Sequence, residues 1–411
     1  MRQVAPETGR PLLFIESNTS GTGRLFVQRA REIGCHPVLI TSRPDTYAYL
    51  SEAGAPEVLC VPRVAPSTIE DVVRRRFGRA ADVAGVTSSS EYFVATAAAV
   101  AARFGLAGPD ASCIEAARDK AYQRAVLSAG GLPVPPFRVV RSAAEAVSAA
   151  RETGVPVVVK PVGGSGSIGV RACACEADAG RHAAMLLAHA ERPEDARVLT
   201  EALIEGPELS VEVFCGRVVG VTQKYLGPRP HFVEVGHDYP GIPLCDASIL
   251  CRTVERAAAL LALTWGPLHW ELRMHDGRAY VIEVNVRLAG GFIPELVRHA
   301  EGIDLIRQTL RLVVGQRPDL EARHHRHASI RFLCPPTSGR LTAVEGLDAA
   351  RTVEDVVEVA LYRRIGERLA MHGDFRDRIG HVMVCADRLD DARAAVARAH
   401  EMVRIDVEGT V

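Results

Sequence analysis

The chain has 411 residues, of which 47% are hydrophobic and 24% charged, with a formal net charge of −1. This is a globular composition, with length for roughly two to four domains and an ample core. The near-neutral balance gives no electrostatic case for a nucleic-acid or anionic-membrane partner, and there is no apolar run of ~18 residues to span a bilayer. The opening "MRQVAPETGR" lacks the apolar stretch of a signal peptide. The ten cysteines are scattered without a C-x-x-C, and Cys173 and Cys175 would share one strand face without bonding. These features predict reduced thiols in a cytoplasmic protein.

From residue 11 to 109 strands and helices alternate. "PLLFIE", "HPVLIT", "EVLCV" and "DVAGVTSS" read as strands, and "RLFVQRAREIG" and "EYFVATAAAVAARFG" as helices. Strands separated by helices predict a small, doubly wound parallel sheet. Its strand-end loops, Ser17–Gly23 and Thr87–Glu91, would point to the side where such sheets bind ligands. Ser17, Asn18 and Thr19 are candidates to cradle an anionic substrate end with backbone amides, although "SNTSGTG" also suits a plain strand-to-helix turn.

The pattern changes at about residue 110. "IEAARDKAYQRAVLSAGG" reads as one helix of about four turns, with Lys120 inside it. "VPVVVKP", "VRACAC", "RVLTEALI", "ELSVEVFC" and "RVVGVTQKYL" are short and β-branched, which predicts antiparallel sheet. Residues 224 to 247 hold four prolines and little periodicity, and read as a long functional loop. Its candidates for an acceptor pocket are Lys224, Arg229, His231, Glu234 and His237, each of which also suits a solvated loop. "GPLHWELRMHDGRAYVIEVNVR" reads as a hairpin turning at His275-Asp276-Gly277. From about 326 a smaller α+β unit is expected. "HHRH" at 324–327 invites a metal reading, but adjacent histidines diverge in space.

"VVVKPVGGSGSIGV" ends in G-x-G-x-x-G. A dinucleotide fingerprint needs a helix straight after the glycines, whereas here "VRACAC" reads as a strand. No Gly-Lys-Ser/Thr follows, which excludes a Walker A loop. A glycine flap over phosphates and an ordinary turn both stay open. Lys160 sits at the end of an apolar strand, where a buried lysine needs a partner, and a triphosphate would supply one. Lys120, taken singly, reads as a solvated helix charge. In "TEALIEGPELSVE", backbone groups around Glu201, Ala202 and Ile204 would suit an adenine edge and Glu208 a ribose diol, although each glutamate also suits an ordinary edge-strand carboxylate. Glu283 and Asn285 share a strand face. With Glu271 on the partner strand they make an oxygen-ligand cluster suited to Mg²⁺. Arg287 continues that face as a bidentate anion clamp. The bland alternative is an exposed charged sheet face.

These segments, in this order and spacing, resemble the ATP-grasp carboxylate–amine ligases over about 110 to 300, most nearly the L-amino-acid ligase branch. The resemblance implies an ATP-grasp fold of mixed α/β and α+β type. Residues 1–109 would be the doubly wound pre-ATP-grasp domain, 110–205 the lid subdomain, 206–325 the subdomain with the metal site, and 326–411 a small C-terminal α+β subdomain. It implies that Lys120 and Lys160 reach the ATP phosphates and that Gly163, Gly164, Ser165, Gly166, Ser167, Ile168 and Gly169 form the flap. Glu201, Ala202, Leu203 and Ile204 would be the adenine hinge and Glu208 the ribose acid. Glu271, Glu283 and Asn285 would hold Mg²⁺ or Mn²⁺. Arg287, with Lys160, would be catalytic, steadying the acyl phosphate. Glu212, Lys224, His237, Arg287, Gly290 and Gly291, with Ser17, Asn18 and Thr19, are the expected substrate contacts. The implied partners are a small-molecule carboxylate and an amine, with no nucleic acid or membrane and room for a homodimer. The alternatives are a carboxylase using bicarbonate and a non-catalytic nucleotide sensor.

Overall fold

The computed structural model describes residues 9–19, 22–78, 82–190, 196–244 and 246–409. Ser20 and Gly21 of "SNTSGTG", most of the N-terminal decapeptide and Cys245 lie outside them. The fold is a mixed α/β and α+β arrangement built on four sheets among the described residues.

The first unit comprises β1 (Pro11–Ile15), α1 (Thr22–Glu32), β2 (His36–Thr41), β3 (Glu57–Cys60), α2 (Pro66–Phe77), β4 (Gly85–Thr87) and α3 (Val94–Arg103). Its strands pair in parallel in the order β3-β2-β1-β4. Leu12, Leu13, Phe14 and Ile15 are all fully buried. A parallel sheet is covered on both faces, which is why β1 reads as an unbroken apolar run.

The expected four-turn helix is two helices, α4 (Ala111–Ala117) and α5 (Lys120–Ala129). Asp119 caps α5 by accepting from the amides of Ala121 and Tyr122, as an N-cap carboxylate does. Lys120 N–H donates to Val162 O at 2.8 Å. Lys120 therefore opens a helix that docks on the glycine segment, and does not project from mid-helix into solvent.

Next come β5 (Phe137–Val140), α6 (Ala143–Thr153), β6 (Val157–Pro161), β7 (Arg171–Cys173), α7 (Glu176–Ala188) and β8 (Val198–Ala202). The strands form an antiparallel sheet, β5-β8-β6-β7, with its own core of Val157, Val159, Ala146 and Ala183. The glycines join β6 to β7, so they link two antiparallel strands and do not open a helix.

The rest contains β9 (Glu208–Phe214), β10 (Arg217–Leu226), β11 (Glu234–Tyr239), α8 (Ser248–Leu260), β12 (Pro267–His275), β13 (Arg278–Asn285), α9 (Ile293–Glu301) and α10 (Leu305–Val313). It continues with β14 (His327–Leu333), β15 (Gly339–Glu345), α11 (Leu347–Arg351), β16 (Val356–Leu361), β17 (Arg368–Leu369), β18 (Gly380–Ala386), α12 (Leu389–Glu401) and β19 (Arg404–Glu408). One eight-stranded antiparallel sheet runs β13-β12-β9-β10-β11-β14-β18-β16, and β17-β15-β19 form a small second one. The large sheet crosses position 326 without a break.

The segment read as a long loop at 224–247 thus contains a strand, β11, in the interior of that sheet. Its side chains Glu234, His237 and Asp238 are polar, so no apolar alternation marks it. Their counter-charges come from elsewhere: Lys224 and Arg378 meet Glu234, and Arg331 and Arg393 meet Asp238. A single core joins β1 and β2 of the first unit to α9, α10, β14 and β18.

Candidate nucleotide and ligase site

β6 buries Val157 and Val159 and carries Lys160 to its end, where the residue is 3% exposed. Lys160 Nζ lies 2.5 Å from Glu201 Oε1, and Arg124 Nε lies 2.9 Å from the other oxygen of that carboxylate. Burial lowers the pKa of Lys160, against the pull of Glu201. Burial also opposes ionisation of Glu201, but Arg124 and Lys160 outweigh it and hold the carboxyl below its usual range. Lys120 is equally buried, bonding Gly164 O at 2.7 Å and Glu283 Oε1 at 3.0 Å. Lys120 therefore contacts the glycine segment, and Lys160 lines the same cleft.

In the hairpin of β12 and β13, turned at Asp276-Gly277, Glu271 sits directly opposite Glu283. With its amide nitrogen turned toward them, Asn285 is 3.2 Å from Glu283 and from both oxygens of Glu91. Burial raises the pKa of Glu283. Lys120 offsets this only in part, and Glu271 and Glu91 add to it. Glu271 moves the other way: Lys224 and His269 outweigh its burial and hold it well below the carboxylate range. Among the described residues no three His, Cys, Asp or Glu side chains gather closely enough to hold a metal alone. Two carboxylates and an amide suit Mg²⁺, which keeps waters and takes further ligands from substrate phosphates. Glu271 and Glu283, opposite each other with Asn285 beside Glu283, would suit such a cation.

Arg287, just beyond β13, donates from Nε and Nη2 to Glu91 Oε2 at 3.0 and 2.8 Å. Burial disfavours its charge, but Glu91, Glu283 and Glu271 outweigh burial and raise its pKa. Glu208 accepts from Arg273 Nη2 at 2.7 Å, and Nη1 of the same arginine reaches Ile204 O and Gly206 O. Arg273 thus ties the segment after β8 to the hairpin.

One cleft takes in Lys120, Lys160, Gly163–Ile168, Glu201–Ile204, Glu208, Glu271, Glu283, Asn285 and Arg287. Gly169, the last of the expected flap, is not in the lining; its carbonyl bonds His182. The expected substrate contacts are more scattered. Lys224 is buried between Glu234 (2.5 Å), Glu271 (2.9 Å) and Glu208 (3.7 Å), outside the lining. Glu212 lies behind it, bonded to His269 Nδ1 at 2.9 Å, while His269 Nε2 reaches Glu271 at 3.2 Å. His237 packs under Gly291, where an added Cβ would meet its ring at 2.8 Å. Gly290 follows Arg287 without lining the cleft. Ser17 bonds Ser89 at 2.5 Å and Asn18 N–H donates to the same hydroxyl, while Thr19 is exposed. None of these three lines the cleft.

Sequence reasoning did not single out Arg124, Arg273, Phe232 or the role of Glu91. Glu91 is 196 residues from Arg287, and no local pattern signals such a pairing. A sheet-end loop position was the one available hint.

Residues 115–165 and 153–295 match the ATP-grasp domain family, and 331–408 match L-amino acid ligase C-terminal domain 2. The chain is 36% identical over 400 residues to the uncharacterised protein y4rH of Sinorhizobium fredii, covering 96% of this chain and 82% of that one. It is 23% identical over 366 residues to the L-arginine-specific L-amino acid ligase of Bacillus subtilis, covering 83% and 84%. The crystal structure of an L-amino acid ligase from Bacillus licheniformis superposes with a TM-score of 0.84 at 20% identity, over 98% of this chain and 100% of that one. The chain belongs to the ATP-grasp superfamily, in the family of y4rH, on the L-amino-acid ligase branch.

Proposed function

We propose that the protein is an ATP-dependent ligase that activates a carboxylate as an acyl phosphate and joins it to an amine, with amino acids as substrates. The observation that carries this reading is the single cleft onto which two buried lysines, a glycine segment, a two-carboxylate hairpin and Arg287 all open. The named similarity to L-amino acid ligases supports the substrate class. Bound MgATP would supply the phosphoryl group that turns a poor electrophile into one with a good leaving group, and the cation would offset its charge. Lys120 and Lys160 would hold phosphate oxygens, and the glycine segment would cover them with bare amides. Glu271, Glu283 and Asn285 would hold the cation. Arg287, exchanging Glu91 for an acyl phosphate oxygen, would stabilise charge that grows toward the transition state.

ADP release across pairs of L-amino acids, with and without bicarbonate, tests the proposal when products are identified by mass spectrometry. A dipeptide or amide formed with ADP is the expected result. A carboxylated product formed only with bicarbonate would replace it with the carboxylase reading. Nucleotide binding without turnover on any pair would favour a sensor.

A further inference from the structure

The glycine segment is held at several points. Lys120 pins Gly164 O, and the His182 ring bonds Gly169 O at 2.8 Å. Between them, the contact to Gly166 comes from the far end of the chain. The turn 372–378, between β17 and β18, lies against this glycine, and Phe375 N–H donates to Gly166 O at 3.4 Å. The Phe375 ring covers Gly166 so closely that a Cβ there would lie 2.5 Å from Cδ1 and 3.1 Å from Cε1. Gly166 also has φ +67°, so the glycine serves both the turn and the ring's approach.

The turn is built to hold the ring in place. Asp377, buried, accepts from the amides of His372 and Gly373 at 2.7 and 2.8 Å. Asp374, also buried, accepts from Arg376 N–H at 3.0 Å. Gly373 packs against the His231 ring, next to the cleft-lining Phe232. The carbonyl of Pro230 accepts from Ala172 N–H at 2.9 Å, just past the glycines in β7. Phe375 itself is 45% exposed, so it is not a core residue whose packing the fold requires.

We propose that Phe375 is a positioning residue. On this proposal the C-terminal region clasps the glycine segment at Gly166 and holds it closed over the nucleotide phosphates. The consequence for chemistry rests on the ligase reading above. With the clasp open, water reaches the acyl phosphate and attacks in place of the amine. The acyl–oxygen bond breaks, the free acid and phosphate leave, and ADP is formed with no amide.

The test compares the full-length wild type with Phe375→Ala and Phe375→Tyr, the latter keeping the ring. Hydrogen–deuterium exchange of residues 163–170 is measured without nucleotide and with MgATP. ADP and amide are then counted in the same turnover assay. In Phe375→Ala these amides exchange faster, KM for ATP rises about tenfold as a half-covered ring is lost, and ADP exceeds amide. Phe375→Tyr restores all three, while the melting temperature stays unchanged in both variants. Unchanged exchange in Phe375→Ala, or equal ADP and amide, overturns the clasp. A wild type that releases no ADP with any acid and amine overturns the ligase reading instead, and the exchange data then decide the clasp alone.

Discussion

Arg287 meets Glu91 in two hydrogen bonds from one side of its guanidinium fork. If the fork serves the transferring phosphoryl or acyl group, its worth lies in the transition state, not in ATP binding. Arg287→Met should lower turnover ~10²–10³-fold, as loss of one oxyanion donor does, with ATP affinity little changed. Steady-state kinetics alongside calorimetric ATP titration check this, and a parallel collapse of ATP affinity would make Arg287 a ground-state nucleotide ligand. His237 gives a residue-scale prediction on pH. Burial pushes its pKa down to about 3; Glu234 opposes this, and Lys224, Arg378 and Arg331 reinforce it. The unfolded histidine titrates near ~6.5. Between those values the unfolded chain takes up a proton that the folded chain refuses. Stability is therefore complete above pH ~6.5 and declines as pH falls toward 3, by at most about 5 kcal/mol from this group. Urea denaturation across that range should show the decline, with a shallower slope in His237→Asn. His299, pushed down to about 4 by burial, contributes to the remainder.

At the scale of elements, α5 is where backbone geometry sets the position of a site residue. The cap at Asp119 fixes the first turn, and Lys120 is the first residue of that turn. Asp119 also accepts from Arg197 at 2.6 Å. Asp119→Ala should cost about 1 kcal/mol of stability, as lost N-caps do. It should also raise KM for ATP, because Lys120 loses its fixed origin. Thermal melting and initial-rate kinetics together check both effects, and a stability loss with unchanged KM would detach Lys120 from the nucleotide. The hairpin of β12 and β13 was legible in sequence, because Asp276-Gly277 can take the positive φ that a tight turn needs. The break between α4 and α5 was missed, although Asp119 is an N-cap residue type and so a local signal, because helix formers lie on both sides of it. β11 was not legible either, since its side chains are polar and satisfied by distant partners.

At the scale of the molecule, one core links the first unit to the large sheet, while the β5–β8 sheet has a core of its own. The cleft lies between that sheet and the hairpin, so a ligand bound there would touch both. A ligand that binds only the assembled cleft stabilises the fold by mass action, about 2.7 kcal/mol at a concentration ~100 times its Kd. MgATP should therefore raise the melting temperature. Chelating the metal should reverse most of the gain, and Glu283→Gln should shift the Mg²⁺ needed to higher concentration. Scanning fluorimetry over a Mg²⁺ series reads all three, and equal stabilisation by ATP with and without Mg²⁺ would remove Glu283 from a metal role.

The sequence by itself determined the parts whose signal is local. Apolar runs gave the strands, Asp276-Gly277 gave the hairpin, and the strand after the glycines ruled out a dinucleotide fold. Spacing by two put Glu283 and Asn285 on one face, and the ordered motifs pointed to the superfamily. Only the tertiary structure decided that Glu201 pairs with both Lys160 and Arg124, that Arg287 meets Glu91, and that Phe375 covers Gly166. Each of these contacts joins residues tens to hundreds of positions apart. Nothing in the neighbouring sequence encodes such a partner, because charge and shape complementarity act only once the chain has brought the groups together.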